Sequence, residues 1–355
     1  MAHGRPTLAD VAFAAGVSVS TASLAFSGAG PIAPETRARV HAAAQRLGYA
    51  GPNPLGRSLR SGRSGIVAVV IGDQLRRSFR DPVSVQVLDG LVGTLGPLGL
   101  GVLLVPAHEE DEAEVAELDP LLVAAPMDVA VLIWGARRDD PVLAALQRRG
   151  VPVVVGEGPD LDGVAVVGVE DRAGTAGLAR YLTDLGHTRI GSVALPFCHP
   201  RRTGVATPER LARLDWAPAR HRLQGLADAG VTPEVIVETS ASLVEEGQTA
   251  GRLLLDVDDP PTAVVAQSDL LAAGVLLAAR DLGLRVPEDV SVAGFDGLEL
   301  PWLAPDVLTT VVQPLGAKGE AIGQAVQQVL GGDVPPPVRM PVELRVGTTT
   351  AAPRS

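Results

Sequence analysis

The stretch TLADVAFAAGVSVSTASLAFS, from Thr7 to Ser27, decides the fold of the N-terminal part of the chain. Thr7 is a good N-cap, and Asp10 can reach back to the cap amide, so a helix begins here. Apolar residues then recur at helical spacing as far as Gly16, which permits a tight exit. Ser18 is a natural N-cap for a second helix. The stretch therefore predicts a helix-turn-helix.

The second helix is predicted to have one inward and one outward face. Ala22, Ala25 and Phe26 form the inward stripe. The outward face is small and uncharged, and we expect it to meet DNA together with the residues at the two helix starts. The predicted DNA-contacting set here is Thr7, Ser18, Val19, Ser20, Thr21, Ser23 and Leu24. An ordinary helical hairpin of a globular domain is the alternative.

Charge is distributed unevenly along the chain of 355 residues, whose net charge is −11. Residues 1–64 contain seven arginines against Asp10 and Glu35, so this segment carries +5 and the remainder carries −16. A basic head can bind phosphates through counterion release, while an acidic body repels the duplex. This partition favours DNA binding, and a merely solvated charged face is the alternative.

Residues Thr7 to Tyr49, continuing through PIAPETRARVHAAAQRLGY to PNPLGRSLRSGRSG, resemble the lac-repressor (LacI) family of bacterial transcription regulators. The resemblance implies a homodimer that binds a palindromic operator under the control of a small effector. It also implies a hinge segment whose leucine enters the minor groove. The matching hinge residues are Arg57, Ser58 and Leu59. Leu24 stands where many relatives carry a base-reading arginine, so we expect contact with a thymine methyl group there.

These patterns divide the chain into three predicted parts. We expect a helix-turn-helix domain over residues 1–50, with a third helix from Pro34 to Gly48. The composition of residues 51–64 is typical of a flexible linker, and the resemblance implies that this segment is the hinge; a plain linker is the alternative. From residue 65 onward, apolar runs such as GIVAVVIGD and VSVAGFD alternate with helical stretches. This alternation predicts an α/β domain with parallel sheets covered on both faces.

The family resemblance implies that this domain has two lobes like those of periplasmic sugar-binding proteins. By the resemblance, the first lobe comprises about 65–163 and 314–336, and the second about 164–313 and 337–355. The chain would then cross near Val164, Gln313 and Pro337. Such a long chain exceeds a single ordinary core, in keeping with several domains.

Several function classes are disfavoured. The glycine patterns of dinucleotide and P-loop sites, the nucleophile elbow and His/Cys metal spacing do not stand out, so we expect neither catalysis, a cofactor nor a metal. Cys198 is the single cysteine, so no intrachain disulfide can form. An apolar run of about 18 residues is lacking, as is a signal-peptide pattern. We therefore expect a cytoplasmic protein without membrane contact.

Ligands of doubly wound sheets bind beyond the carboxyl ends of strands, where polar residues follow the apolar runs. Asp296 in VSVAGFD and Arg222 in RHRLQG match ligand-binding positions of the family and offer a carboxylate and a planar donor fork for neighbouring sugar hydroxyls. The full predicted effector set is Asp73, Trp134, Glu157, Arg222, Ser268, Asp269, Asp296 and Gln313. An Arg–Asp pair that only braces the cleft is the alternative for Arg222 and Asp296.

Two departures from the family pattern concern this cleft. Ser268 replaces the family's asparagine, and Glu157 replaces its usual aspartate. Residues Pro196 to Ala219 also form a longer connection than usual, and Trp216 in it is a candidate to line or cover the cleft. A regulator that responds to a protein partner or to no ligand therefore stays open, as does, from the body alone, a solute-binding protein of a transport system.

Overall fold

The computed structural model describes residues 6–28, 30–51, 62–72, 74–106, 119–135 and 140–354. The chain divides into two compact units, Met1–Gly65 and Ile66–Ser355. Among the described residues, no single helix is long and apolar enough to cross a membrane. The helices Leu8–Ala15 and Val19–Ser27 together have sufficient length and hydrophobicity, but they are bent by 103° relative to each other.

The first unit contains the predicted helix-turn-helix and the third helix. These are α1 (Leu8–Ala15), α2 (Val19–Ser27) and α3 (Pro34–Leu47). Thr7 and Asp10 form the predicted capping box, and the Ser18 hydroxyl accepts a hydrogen bond from the Thr21 amide. Short buried side chains, among them Val11, Ala22 and Val40, let the three helices pack closely.

The first lobe of the second unit contains a parallel six-stranded sheet in the order β12-β5-β4-β3-β1-β2. Its strands are β1 (Ile66–Ile71), β2 (Gly101–Pro106), β3 (Val129–Leu132), β4 (Val153–Gly156), β5 (Ala165–Val169) and β12 (Val338–Met340). The helices of this lobe are α4 (Leu75–Ser78), α5 (Pro82–Leu95), α6 (Pro120–Ala124), α7 (Pro141–Arg148) and α13 (Leu315–Leu330). Helices α5 and α13 cover one face and α6 and α7 the other.

The second lobe contains a seven-stranded sheet in the order β13-β11-β10-β9-β6-β8-β7, in which β7 and β13 are antiparallel to their neighbours. Its strands are β6 (Ile190–Ala194), β7 (Gly204–Val205), β8 (Ile236–Glu238), β9 (Ala263–Ala266), β10 (Ser291–Asp296), β11 (Thr309–Val312) and β13 (Glu343–Arg345). The helices are α8 (Asp171–Asp184), α9 (Pro208–Ala212), α10 (Ala217–Asp228), α11 (Val244–Leu255) and α12 (Asp269–Asp281). The two-lobed α/β fold class is confirmed.

The chain passes between the two sheets later than expected at two of the three crossings. The expected crossings near Val164 and Pro337 precede β5 and β12, yet both strands still pair within the first sheet. The chain crosses only after Val169 and after Met340, and it returns to the first lobe between β11 and α13. Strand β5 is apolar and buried on both faces, a composition common to both sheets, and β12 is a three-residue, partly exposed strand, so the sequence does not show which sheet either joins.

Candidate functional site

Helix α2 exposes the side chains that the sequence predicts for DNA contact. Val19 is 51% exposed and Leu24 is 36% exposed, Ser20 is exposed and Ser23 is half-buried. Leu24 lies beside Gly30, at which an ideal Cβ would be 3.2 Å from one methyl carbon of Leu24. This surface of methyl groups and hydroxyls suits thymine methyl groups and base-edge acceptors.

Hydroxyl groups fix the two helix starts in the helix-turn-helix. The Ser18 hydroxyl lies 2.8 Å from both the Ser20 and the Thr21 hydroxyls. The Thr7 hydroxyl donates to Asp10 Oδ2 at 2.7 Å, and hydrogen bonds from the Thr7 amide and hydroxyl lower the pKa of Asp10. The first-turn amides of α2 form a start that suits a DNA phosphate. Arg57, Ser58 and Leu59 lie outside the described residues.

A cavity of about 120 Å³ lies between the lobes, at the carboxyl ends of the parallel strands. Six of the predicted effector residues line it: Trp134, Glu157, Arg222, Ser268, Asp296 and Gln313. Asp73 is outside the described residues. Asp269 does not line the cavity, because its fully buried carboxylate accepts hydrogen bonds from the Leu298 amide at 2.6 Å and the Thr310 hydroxyl at 2.5 Å. Its role here is structural.

Arg222 is buried and is held mainly by a residue that the sequence reading missed. Its Nε donates to Asp171 Oδ1 at 2.8 Å, and Nη1 donates to the Gln267 carbonyl. Its guanidinium carbon lies 3.7 Å from the centroid of the Phe295 ring. The expected partner Asp296 is farther away, with Nη1 and Oδ1 separated by 3.9 Å. The Arg222 fork is therefore oriented by Asp171 and stays close to Asp296 without a hydrogen bond between them.

Asp171 and Asp296 both have raised pKa values, and burial is the main cause for each. Asp171 is 1% exposed, and within the described residues its Oδ2 has no hydrogen-bond partner. Burial raises its pKa although the Arg222 charge opposes the shift. Burial also raises the pKa of Asp296, against Arg222 and the hydrogen bond from Gln313. A ligand that donates hydrogen bonds would stabilise the charged form of Asp296.

A continuous polar array joins the two lobes across the cavity floor. Lys318, the only lysine in the chain, donates from Nζ to Glu157 Oε1 and to Gln313 Oε1, both at 2.8 Å. Gln313 Nε2 then donates to Asp296 Oδ1 at 2.7 Å. Lys318 is 2% exposed and its Nζ lies 5.8 Å from the centroid of the Trp134 ring. Sequence reasoning missed Lys318, although a single lysine among so many arginines was a usable signal.

Backbone strain is concentrated at two cavity residues. Among the described residues, the non-glycine residues with positive φ are Glu157, at 63°, and Asp296, at 132°. Such conformations cost about 1–3 kcal/mol each and persist where the surrounding structure imposes them, often at ligand sites. The strain aims both carboxylates at the cavity from opposite lobes.

Ser268 and Asp81 complete the polar wall. The Ser268 hydroxyl accepts from the Leu271 amide at 3.2 Å and from the Ser242 hydroxyl at 2.9 Å, so it caps α12 as well as lining the cavity. Asp81 lines the cavity from the first lobe, where its Oδ1 accepts from the Val83 amide at 2.9 Å. Burial, followed by the charge of Asp296, raises the pKa of Asp81 to about 7.

The chemistry of the cavity is that of hydrogen bonding with several hydroxyl groups. Carboxylates accept from ligand hydroxyls, whereas the guanidinium and ammonium groups donate to ligand oxygens. Two tryptophans, Trp134 and Trp216, supply apolar surface beside these groups. In the described part of the chain, no group of three or more His, Cys, Asp or Glu side chains could hold a metal ion.

Comparisons with known proteins cover both units. The family model for bacterial regulatory proteins of the lacI family matches residues 7–53, and that for a periplasmic binding protein-like domain matches residues 179–350. The chain is 33% identical to an HTH-type transcriptional regulator of Mycobacterium tuberculosis, over 98% of both chains. It is 31% identical to the HTH-type transcriptional repressor CytR of Escherichia coli, over 98% of this chain and 97% of CytR.

The similar solved structures include one with a bound disaccharide. The transcriptional regulator CelR in complex with cellobiose shares 28% sequence identity with this chain. The match covers 97% of this chain and 100% of CelR, with a TM-score of 0.67.

Proposed function

The chain belongs to the lacI family of bacterial regulatory proteins, and we propose that this DNA-binding transcriptional regulator is a homodimeric repressor released or recruited by a sugar-like polyol. The relatives reported above are named as transcriptional regulators rather than enzymes, and one is named a repressor. We infer a cytoplasmic protein, because its operator DNA is there.

We infer the class of ligand from the buried polar array beneath the cavity. Asp296, Arg222 and Lys318 are each 5% exposed or less and all line the cavity. Adjacent donors and acceptors of this kind match the alternating oxygens of a polyol, and Trp134 offers a face for the ring carbons. The relative CelR, which has a structure with cellobiose, supports a sugar as the ligand class.

An apolar strip on the first lobe supports the homodimer. Val85 and Val92 lie seven residues apart on α5, and each is 44% exposed, while Leu98 just beyond the helix is 42% exposed. Residues at this spacing share one helix face. Exposed apolar surface of this kind is typical of an interface between protein subunits, and two copies of the head would match a palindromic operator with one helix per half-site.

The first test concerns coupling between the polyol and the operator. A panel of sugars is screened by thermal shift, and operator binding is then titrated with the sugar that stabilises the protein. We expect the sugar to change operator affinity by a coupling free energy of about 1–3 kcal/mol. Asp296→Asn should keep ligand-free operator binding but weaken the sugar by about 1–3 kcal/mol, because a ligand hydroxyl loses its charged acceptor.

The matched control is Asp184→Asn, an exposed carboxylate at the end of α8. It should respond to the sugar as wild type does. If Asp296→Asn also responds as wild type, the carboxylate does not bind the effector. If no sugar changes the melting temperature or operator affinity, the regulator responds to a protein partner or to no ligand, which is the alternative function.

A further inference from the structure

The connection from Leu195 to Trp216 is a long, structured element of the second lobe. It joins β6 to α10 and contains β7 and α9. Connections between strands and helices in α/β folds usually have about 2–6 residues, so this one is long enough to cover neighbouring surface. Its strand β7 pairs antiparallel with β8 at the edge of the second sheet, and the Ala206 amide donates to the Ile236 carbonyl at 2.8 Å.

A buried ion pair anchors this connection to the second lobe. Glu238 is fully buried and accepts from Arg210 Nε at 2.9 Å, from Arg210 Nη2, and from the Phe197 amide at 2.9 Å. Arg210 Nη2 also donates to the Cys198 carbonyl at 3.2 Å. One carboxylate thus fixes both α9 and the start of the connection, so the part between them is held in place rather than free to swing.

Arg201 and Trp216 of this anchored connection reach across to the first lobe. Arg201 Nη2 donates to the carbonyl of Gly72, directly after β1. The Arg201 guanidinium carbon lies 4.9 Å from the centroid of the Trp216 ring. A Cβ at Gly72 would lie 3.6 Å from the Trp216 ring and 3.9 Å from Trp134 Cβ. The stacked side chains of Arg201 and Trp216, which belong to the second lobe, therefore contact the first lobe at the end of β1.

Exposure separates this pair from the floor of the cavity. Arg222, Asp296 and Lys318 are buried, whereas Arg201 and Trp216 are half-buried although they line the same cavity. Their partly exposed side chains therefore lie at the margin of the cavity rather than at its floor. We propose that Arg201 and Trp216 form a roof that limits the effector site to a ligand of one ring and excludes disaccharides.

Volume supports this limit on ligand size. The cavity is about 120 Å³, which is smaller than the apolar cavity of about 150 Å³ that holds one benzene ring, so it has no space for two sugar rings. A disaccharide has two rings and would need the space that Arg201 and Trp216 occupy. The size limit rests on the proposed sugar-binding function, whereas closure by the roof does not depend on which ligand binds.

Lys318 provides a test of closure that needs no ligand. Because it is the only lysine and is 2% exposed beneath the roof, its acetylation by an amine-reactive ester, measured by peptide mass spectrometry, reports opening of the cavity. Arg201→Ala and Trp216→Ala should each raise the labelling rate by at least about fivefold, since labelling of a buried group follows the population of open states. Circular dichroism checks that the variants are folded.

Arg213→Ala is the matched control. Arg213 belongs to the same connection and donates to the His199 carbonyl at 3.1 Å, but it does not line the cavity. This variant should label at the wild-type rate. If folded Arg201→Ala and Trp216→Ala both label at the wild-type rate, the roof does not close the cavity and the proposal is overturned.

The second arm measures size selection by calorimetry with D-glucose, D-ribose and cellobiose. Wild type should prefer the two single-ring sugars, and Trp216→Ala should gain at least tenfold in relative affinity for cellobiose. Equal affinity of wild type for cellobiose and D-glucose would overturn the size limit. If none of the sugars binds wild type while the labelling pattern holds, the roof is supported and the proposed sugar class fails.

Discussion

The Asp81 carboxylate both caps a helix and lines the cavity. Its Oδ1 caps α5 through the Val83 amide, while the group as a whole lines the cavity close enough to Asp296 for the two charges to interact. Asp119 and Asp140 precede proline and cap α6 and α7 in the same way, but neither lines the cavity. The three helix starts share the same Asp-Pro pattern, and only the packing of the lobes places Asp81 at the cavity.

We predict that Asp81 makes stability depend on pH. Its pKa is raised from 3.8 to about 7, so over this range the folded chain keeps a proton that the unfolded chain has released. Rising pH therefore favours unfolding between about pH 4 and 7, by up to about 1.4 kcal/mol per pH unit for one proton. Asp81→Asn retains the cap and should make the measured slope of unfolding free energy against pH less negative.

Denaturant titrations at several pH values check this expectation. Asp140→Asn makes the same substitution at a helix start away from the cavity and should leave the slope as in wild type. An unchanged slope in Asp81→Asn would mean that Asp81 is charged in the folded protein throughout this range.

The limits of sequence reasoning at the residue scale are visible at Arg222. The sequence predicts its place in the cleft, because the residues around it match a family motif. It does not predict Asp171 as its hydrogen-bonded partner, since the two are 51 positions apart and meet only through the packing of α8 against α10. Asp171 nevertheless lies two residues after the apolar run GVAVVGV, and a polar residue after a buried strand is a signal of a ligand site.

At the scale of elements, the sequence predicts the long helices and the buried strands but not the short edge strands. Runs such as GIVAVVIGD carry an apolar pattern that burial on both faces requires. Strands β7, β12 and β13 have only two or three residues and partly exposed side chains. Their pairing depends on the neighbouring strand, so their own composition carries little signal.

Helix packing in the first lobe predicts that alanine substitutions at two glycines change the stability of the protein in opposite directions. Gly319 of α13 faces α5, and a Cβ there would lie 2.1 Å from the Val87 carbonyl oxygen, whereas a Cβ at Gly93 of α5 would meet nothing within 4 Å. Alanine gains about 0.5–1 kcal/mol over glycine in a helix. Gly93→Ala should therefore stabilise the protein, while Gly319→Ala should destabilise it by about 1–3 kcal/mol through overpacking.

Urea unfolding of both variants measures these free energies. The Gly319 result also bears on the site, because its neighbour Lys318 donates to Glu157 and Gln313 across the cavity floor. Displacing α13 would move that ammonium group. Stabilisation of the protein by both alanines would mean that the two helices separate without cost.

At the scale of the whole molecule, the head and the rest of the chain carry net charges of opposite sign. The head segment carries +5 and the remainder −16, so the chain as a whole is repelled by DNA unless the head makes close contacts with phosphates. Contacts of this kind release counterions, and their number sets the salt dependence of binding. The exposed face of α2 that we predict to contact bases is uncharged, so its contribution to affinity should not change with salt.

This separation leads to a prediction about Leu24. For the wild type, the logarithm of operator affinity should fall steeply and linearly with the logarithm of salt concentration, and indifference to salt would contradict a phosphate-binding head. Leu24→Ala should weaken binding without altering that slope, because it removes only apolar contact.

Leu24→Arg adds a cation to the exposed face of α2, so the slope of its operator affinity against salt should steepen by about one charge. Operators with guanine opposite position 24 should bind this variant more tightly by about 1–3 kcal/mol. Fluorescence anisotropy at several salt concentrations, with operators differing at one base pair, measures both effects. If Leu24→Arg changes neither the slope nor the base preference, residue 24 points away from the duplex, and the face of α2 that reads DNA must lie elsewhere on the helix.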